Sequence, residues 1–237
     1  MIWRLVICSS ALAIVCGAAT VRGRVSIQEE TGKPAKHRQL SGVVVWLDPA
    51  TETAPVMKAA AIKSRMVQKN KTFIPHVLAV PLGSTVEFPN YDPIFHNAFS
   101  NYSGQLFDVA LYPPGSSRSV KFTRPGIVRV FCNIHASMSA VIVVLASPWY
   151  ATSGAEGEFE LEGVPEGSYK LGVYYERATE QTLAALRKTI SVSSAGEDLG
   201  AITISESGYL SIPHLNKFGK PYATEGSDPG AYPGARQ

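Results

Sequence analysis

The sequence predicts an all-β protein. Its 237 residues include 20 Gly and 16 Pro, and these are spread along the chain, so turns are closely spaced. Between the turns lie short segments rich in Val, Ile, Phe and Tyr, several of which alternate apolar and polar residues as a half-buried strand does. Only residues 178–188 have the apolar spacing of a helix. Many short strands with frequent turns are typical of β-sandwiches.

Twelve segments are predicted as strands because each is β-branched or aromatic and is bounded by Gly, Pro, Asn or Ser. They are residues 21–28, 43–48, 65–68, 77–80, 85–88, 119–122, 127–132, 140–145, 158–161, 169–175, 189–192 and 201–204. In the seventh, Val128, Val130 and Cys132 alternate with Arg129. A period of two places Cys132 on the apolar face of this strand, directed at a core.

Charge and cysteine content exclude several classes of protein. The formal net charge is only +3, which does not predict binding to nucleic acid or to an anionic membrane surface. The chain has three cysteines, Cys8, Cys16 and Cys132, too few and too scattered for a disulfide-stapled scaffold. Apolar residues make up 45% of the chain, which is enough for a substantial core.

The first nineteen residues predict an export signal. Arg4 is followed by the mostly apolar residues 5–15 and by the small residues Gly17, Ala18 and Ala19, the order of a secretory signal peptide. We therefore expect a periplasmic or secreted protein with no membrane span after cleavage. A retained anchor is the alternative, since the uncharged segment just reaches spanning length. Cleavage would leave Cys132 as the single cysteine.

One cluster of residues predicts a metal site. Cys132, His135 and Met138 follow one another at steps of three, and His96 lies upstream between two predicted strands. A thiolate, two imidazoles and a weak axial thioether are the ligand set of a blue-copper site. Sulfur ligands suit Cu(I) and imidazoles also suit Cu(II), so such a set can serve both oxidation states. The sequence therefore predicts one type 1 copper ion.

Three other interpretations of this cluster remain open at this point. The first is a core thiol beside a surface histidine with incidental spacing. The second is a zinc site, although zinc normally takes four strong ligands and rarely takes Met. The third is a Cys–His nucleophilic pair, for which the sequence offers no orienting third group.

Residues 61–147 resemble the cupredoxins, the plastocyanin-like blue copper proteins. The matching segments are residues 73–75, 80–90, 96–97 and 125–132, and the loop Cys–x2–His–x2–Met is most similar to that of amicyanins. The resemblance implies a Greek-key β-sandwich in which His96, Cys132, His135 and Met138 bind copper. It also implies that Asn97 ties the His96 loop to the cysteine loop by hydrogen bonds.

The flanking segments carry a second resemblance. Residues 157–161 and 164–171 are similar to the carboxypeptidase-regulatory (transthyretin-like) β-sandwich, and residues 23–25, 32–34 and 43–47 are similar to its N-terminal half. We therefore expect a signal peptide (1–19), N-terminal sandwich strands (20–57), a cupredoxin domain (61–147), the rest of the sandwich (150–206) and an extended or disordered tail (207–237). The hypothesis is that the cupredoxin is inserted into the sandwich; a tandem arrangement is the alternative.

The resemblance implies an electron carrier rather than an enzyme. We expect a monomer that exchanges one electron with a redox protein such as a dehydrogenase, cytochrome or oxidase, through the edge of His135. A multicopper enzyme would need His–x–His pairs, and the sequence has none. A copper-trafficking protein, or a structural or adhesion module with incidental copper, remains as the alternative.

Overall fold

The structure is a computed structural model that describes residues 18–28, 40–50, 57–101, 104–211 and 213–222. Within these residues it has seventeen strands and one short helix, so the predicted all-β class is confirmed. None of the described segments forms a helix with the length and hydropathy of a membrane span.

The elements follow the chain in this order. The strands are β1 (Ala18–Gln28), β2 (Val44–Pro49), β3 (Lys63–Arg65), β4 (Val67–Lys69), β5 (Thr72–Ile74), β6 (Val77–Pro81), β7 (Thr85–Pro89), β8 (Phe99–Ser100), β9 (Phe107–Asp108), β10 (Ser117–Lys121), β11 (Gly126–Phe131), β12 (Ser139–Leu145), β13 (Tyr150–Thr152), β14 (Glu158–Pro165), β15 (Gly167–Tyr174), β16 (Lys188–Val192) and β17 (Glu197–Ser205). The helix is α1 (Glu180–Ala185).

The middle of the chain forms a sandwich of two sheets with a small hairpin. One sheet has the order β6-β12-β11-β8-β9 and the other β10-β7-β3, while β4 and β5 pair with each other. In the first sheet, β12 is parallel to β6 and antiparallel to β11. The core between the sheets is mostly apolar and includes Phe88, Tyr112, Cys132 and Met138. Two of the predicted metal ligands, Cys132 and Met138, therefore belong to this core.

The two ends of the described chain build a second sandwich together. Its sheets have the orders β14-β1-β17 and β13-β2-β15-β16. Strand β1 is antiparallel to β14 and parallel to β17. A single core contains Val25 and Val45 from the N-terminal side and Phe159 and Leu171 from the C-terminal side. Segments that precede and follow the middle sandwich therefore share sheets and a core.

Strand β12 joins the two sandwiches because both of its faces are buried. Ala140, Ile142 and Val144 face the middle core, whereas the alternate residues Val141 and Val143 contact the second sandwich. This uninterrupted apolar run is the pattern of a strand covered on both sides. A hydrogen bond between His76 and Glu176 adds a polar contact between the two sandwiches.

Several local predictions need correction. The helix is shorter than residues 178–188, because Thr179 caps it by accepting a hydrogen bond from Thr182 N (3.1 Å) and β16 begins at Lys188. The predicted strand 65–68 is two strands, since β3 pairs with β7 whereas β4 pairs with β5. Four strands were not predicted because they are only two or three residues long: β5, β8, β9 and β13.

The predicted signal peptide and tail are only partly within the described residues. Residues 1–17 and 223–237 lie outside them. Ala18 and Ala19 begin β1 and pair with Pro165 and Val164, so cleavage after residue 19 would remove the first two residues of that strand. Signal cleavage and the domain boundaries stay predictions. Residues 213–222, predicted as an extended or disordered tail, have no helix or strand but contact the cysteine loop.

Candidate metal centre

The three strongest candidate ligands are delivered by two loops at one end of the middle sandwich. Cys132 directly follows β11, and residues 132–138 turn back into β12. Two backbone hydrogen bonds close this turn, from Cys132 N to Met138 O and from Met138 N to His135 O (both 3.1 Å). His96 precedes β8 and is fixed by paired backbone bonds with Tyr112 (3.2 and 2.9 Å).

The loops bring His96, Cys132 and His135 into one buried cluster. The Cys132 sulfur lies 3.8 Å from His96 Nδ1 and 3.6 Å from His135 Nδ1. All three donor atoms lie within 4.8 Å of one another, and no other such His, Cys, Asp or Glu group occurs in the described part of the chain. Metal bonds of about 2.3 Å to sulfur and about 2.1 Å to nitrogen, at about 110–120°, would separate these donors by roughly 3.6–3.8 Å. The two sulfur–nitrogen distances therefore fit a single metal ion bound at this cluster.

Met138, the fourth predicted ligand, lies on the core side of the same loop. Its side chain is fully buried in the apolar cluster that also contains Cys132. The hydrogen bond from Met138 N to His135 O fixes the backbone of Met138 relative to that of His135, a residue of the cluster. The role of Met138 as a thioether ligand stays a prediction.

The cysteine environment combines low polarity with backbone donors. Burial raises the pKa of the Cys132 thiol, while backbone hydrogen bonds from Ile134, Asn97 and His135 oppose that rise. Such N–H groups stabilise negative charge on sulfur. The site therefore disfavours a bare thiolate yet is lined with the donors that a metal-bound thiolate would use.

A buried carboxylate orients His96. His96 Nε2 lies 2.7 Å from Asp92 Oδ2, and both side chains are almost completely buried. Burial lowers the pKa of His96, and the hydrogen bond to Asp92 partly offsets this. An ionised carboxylate can only accept, so the proton stays on Nε2 and the Nδ1 lone pair faces the sulfur.

Asp92 is itself held by the hairpin between β4 and β5. Its two oxygens accept from Asn70 N (2.6 Å) and Lys71 N (2.8 Å). Burial alone would raise the pKa of Asp92, but these bonds and the one to His96 lower it overall. Asp92 was not predicted from the sequence, where its only signal is a carboxylate four residues before a candidate ligand in a turn-rich segment.

Asn97 contacts the cysteine through its backbone and not through its side chain. Its side-chain nitrogen donates to Asp108 Oδ1 (2.7 Å) rather than to the cysteine loop, and its Oδ1 is buried without a hydrogen-bond partner. The reason is the pairing of β8 with β9, which places Asp108 opposite Phe99, close to Asn97 along the chain. The link to the cysteine comes instead from the Asn97 backbone N–H.

The edge of His135, predicted as the electron port, is nearly covered. The residue is 7% exposed, and its ring meets that of His96 edge-on with centroids 4.8 Å apart. Exposed apolar side chains occur nearby in sequence on the His96 loop, at Tyr91 and Phe95. Only a small part of His135 is therefore open to a partner.

Comparison with known proteins gives partial similarities. No family model and no curated protein matches the chain. Among solved structures, it is similar to a copper-containing nitrite reductase from Thermus scotoductus SA-01, with 25% identity and a TM-score of 0.34 over 42% of this chain and 26% of that one. The chain thus spans about a quarter of that reductase.

Two smaller copper proteins match over nearly their whole length. A purple cupredoxin from Nitrosopumilus maritimus is 21% identical, with a TM-score of 0.32 over 35% of this chain and 99% of that one. A mutant amicyanin in its reduced Cu(I) form is 20% identical, with a TM-score of 0.33 over 44% of this chain and 99% of that one. The similarity to carboxypeptidase-regulatory domains stays a prediction.

Proposed function

We propose that this protein is an exported copper protein that carries one electron at a time between redox partners. The observation that carries the proposal is the buried group of one cysteine sulfur and two histidine Nδ1 atoms within 4.8 Å. This donor set, completed by Met138 from the same loop, would be that of a blue-copper centre. Bound copper would supply the Cu(II)/Cu(I) couple.

The protein residues have distinct roles in this proposal. Cys132 supplies the soft anionic donor, and His96 and His135 supply imidazoles suited to both oxidation states. Asp92 keeps His96 in the tautomer whose Nδ1 is free to bind. The backbone bonds of the 132–138 turn restrict the donors, so that they move little when the charge changes. A small rearrangement keeps electron transfer fast.

The environment of the site favours a carrier over a zinc site or a catalytic thiol. Zinc would need a fourth strong donor, and none of the described His, Cys, Asp or Glu side chains joins the three. Asp92 contacts His96 on the ring nitrogen remote from the sulfur, an orientation that a catalytic Cys–His–Asp triad would share. The second imidazole favours a metal site instead, because His135 Nδ1 also lies 3.6 Å from the Cys132 sulfur and burial raises the pKa of this thiol. The partner would be a redox protein that docks near His135.

The test is copper loading of the metal-free full chain, followed by optical and EPR spectra. One equivalent of Cu(II) should give an intense thiolate-to-copper band and a narrow copper hyperfine splitting, and the C132S variant should lose both. The H76Q variant is the matched control, because His76 is a histidine outside the cluster and its loss should leave the spectra unchanged. Reversible one-electron reduction is expected. Wild type and C132S with the same spectrum would contradict the proposal.

A second measurement distinguishes a carrier from a copper-delivery protein. A carrier should retain copper in both oxidation states when challenged with a chelator. Rapid loss of Cu(I) to the chelator, on the timescale of mixing, would support trafficking and overturn the carrier proposal. Tight binding of zinc in preference to copper, with no redox response, would overturn it as well.

A further inference from the structure

Residues 213–222 form an irregular segment that lies against the cysteine loop; we call this segment the C-terminal clasp. The Tyr222 hydroxyl donates to the carbonyl oxygen of Cys132 (2.8 Å). The backbone N–H of Lys217 donates to Asn133 Oδ1 (3.0 Å). The clasp thus makes direct hydrogen bonds to the first two residues of the ligand loop.

Aromatic contacts hold the clasp against the end of β11. The His214 ring lies over that of Phe131, with centroids 4.1 Å apart and planes 31° apart. Tyr222 meets His214 edge-on at 5.1 Å, and its hydroxyl oxygen lies 3.1 Å from His214 Nδ1. Because Phe131 precedes Cys132, these contacts immobilise the backbone that presents the sulfur.

The clasp also reaches the other ligand loop. Lys217 Nζ lies 2.7 Å from Asp108 Oδ2, and Asp108 Oδ1 accepts from the Asn97 side chain at 2.7 Å. Burial would raise the pKa of Asp108, but Lys217, Ala110 and Asn97 together lower it. Lys217 is therefore connected to both loops that carry candidate ligands, directly to residue 133 and through Asp108 to residue 97.

The clasp is ordered by its own turn. Asn216 Oδ1 accepts from Phe218 N (2.9 Å) and Lys220 N (3.1 Å), and Asn216 N donates to Lys220 O (2.9 Å). Gly219 has a φ of 71°, a left-handed conformation that favours glycine. The turn presents Lys217 and Tyr222 without a helix or strand, and this is why sequence patterns did not reveal it.

We propose that Tyr222 and Lys217 are positioning residues of the metal centre, supplied from outside the cupredoxin-like sandwich. The inference rests on the proposed function. The Tyr222 O–H dipole polarises the peptide that follows Cys132, and its positive end favours the electron-rich reduced state. Together with the Lys217 contacts it also restrains the loop. Loss of Tyr222 should therefore favour Cu(II) and loosen residues 133–135.

The first test is the equilibrium between the copper-loaded full chain and a redox mediator. The Y222F variant should lower the equilibrium constant for reduction by about threefold to tenfold, where tenfold equals about 59 mV for one electron. The Y209F variant is the matched control, because Tyr209 lies before the clasp and contacts Arg177 of the second sandwich. A Y222F potential equal to those of wild type and Y209F would overturn the inference.

The second test needs no metal. Amide hydrogen exchange of Asn133 and Ile134, followed by NMR in the metal-free full chain, should be at least about tenfold faster in Y222F and in K217M than in wild type. If Y222F does not fold, the exchange rates of K217M test the inference, because the Lys217 side chain is partly exposed and its replacement should be tolerated. Unchanged exchange in the folded variants would overturn the inference. A wild type without a thiolate-to-copper band would refute the proposed function alone, because the exchange measurement still tests the clasp.

Discussion

Replacing Asp92 with Asn should raise the reduction potential of the copper-loaded protein. Asp92 Oδ2 lies 2.7 Å from His96 Nε2, so its negative charge is directed through the ring at the candidate metal position. That charge stabilises Cu(II), which carries one more positive charge than Cu(I). D92N removes the charge while keeping the shape of the side chain.

The magnitude follows from the separation of the charges. An ion bound at Nδ1 would lie about 7 Å from Oδ2, and at an effective dielectric constant of about 20 one extra charge is worth about 2 kcal/mol. This is roughly 90 mV for a one-electron couple. The value is an upper bound, because Asn70 N and Lys71 N also donate to this carboxylate.

The assay is a mediated redox titration at neutral pH, where the lowered pKa keeps Asp92 ionised. D198N is the matched control, because Asp198 is an exposed aspartate that pairs with Arg22 on the second sandwich. It changes the net charge equally and should not move the potential. A D92N potential that is unchanged, or lower than that of wild type, would refute this electrostatic reasoning.

Three further predictions follow from other parts of the structure. M138L should keep copper but shift the reduction equilibrium at least tenfold towards Cu(I), about 59 mV, because an electron-donating axial thioether is lost. The control is M66L, at a buried methionine of the same core, which should leave the reduction potential in a mediated titration unchanged. Copper loss in M138L would contradict a weak axial role. The hydrogen bond to Glu176 raises the pKa of His76 above 6.5. The stabilisation of the fold by this pair is therefore complete below pH 6.5 and is lost as the pH rises through the higher pKa of His76 in the folded state. Thermal unfolding of the metal-free wild type at several pH values should show this loss of stability, which is below about 1 kcal/mol because His76 is half exposed. The E176Q variant should not show this pH dependence. G157A should lower the free energy of unfolding in urea by more than about 2 kcal/mol, since the added Cβ would meet Val25 O at 2.4 Å at a residue with a φ of 83°. The control is G163A, where φ is 69° but no atom lies near the added Cβ, and it should cost about 1 kcal/mol. Equal losses of stability in the two variants would contradict the role of the β1–β14 contact.

Sequence periodicity predicted the parts of the site that depend on local spacing. The alternation of Val128, Val130 and Cys132 placed the thiol in a core, and the structure has all three fully buried. The three-residue steps from Cys132 to Met138 correspond to a single tight turn closed by its own backbone bonds. The sequence could predict these features because neighbours along the chain determine them.

The missed features depend on residues that are distant in sequence or lie in irregular structure. Tyr222 is 90 residues from the Cys132 carbonyl that it contacts. Asp92 reaches His96 through a loop whose conformation depends on the hairpin at Asn70, 22 residues earlier. Strands β8 and β9 are too short to show a period, so the position of Asp108 beside Asn97 could not be predicted either.

The shared second sandwich has a consequence for the order in which the chain can assemble. Strand β1 cannot complete its parallel pairing until β17 has been made, and Arg22 and Asp198 are 176 residues apart. The middle sandwich contains all its own strands and is free to form while β1 waits. Because residues 213–222 follow β17, they reach the cysteine loop after every strand described here has been synthesised. The surroundings of the candidate metal centre are therefore completed only after all the described strands are available.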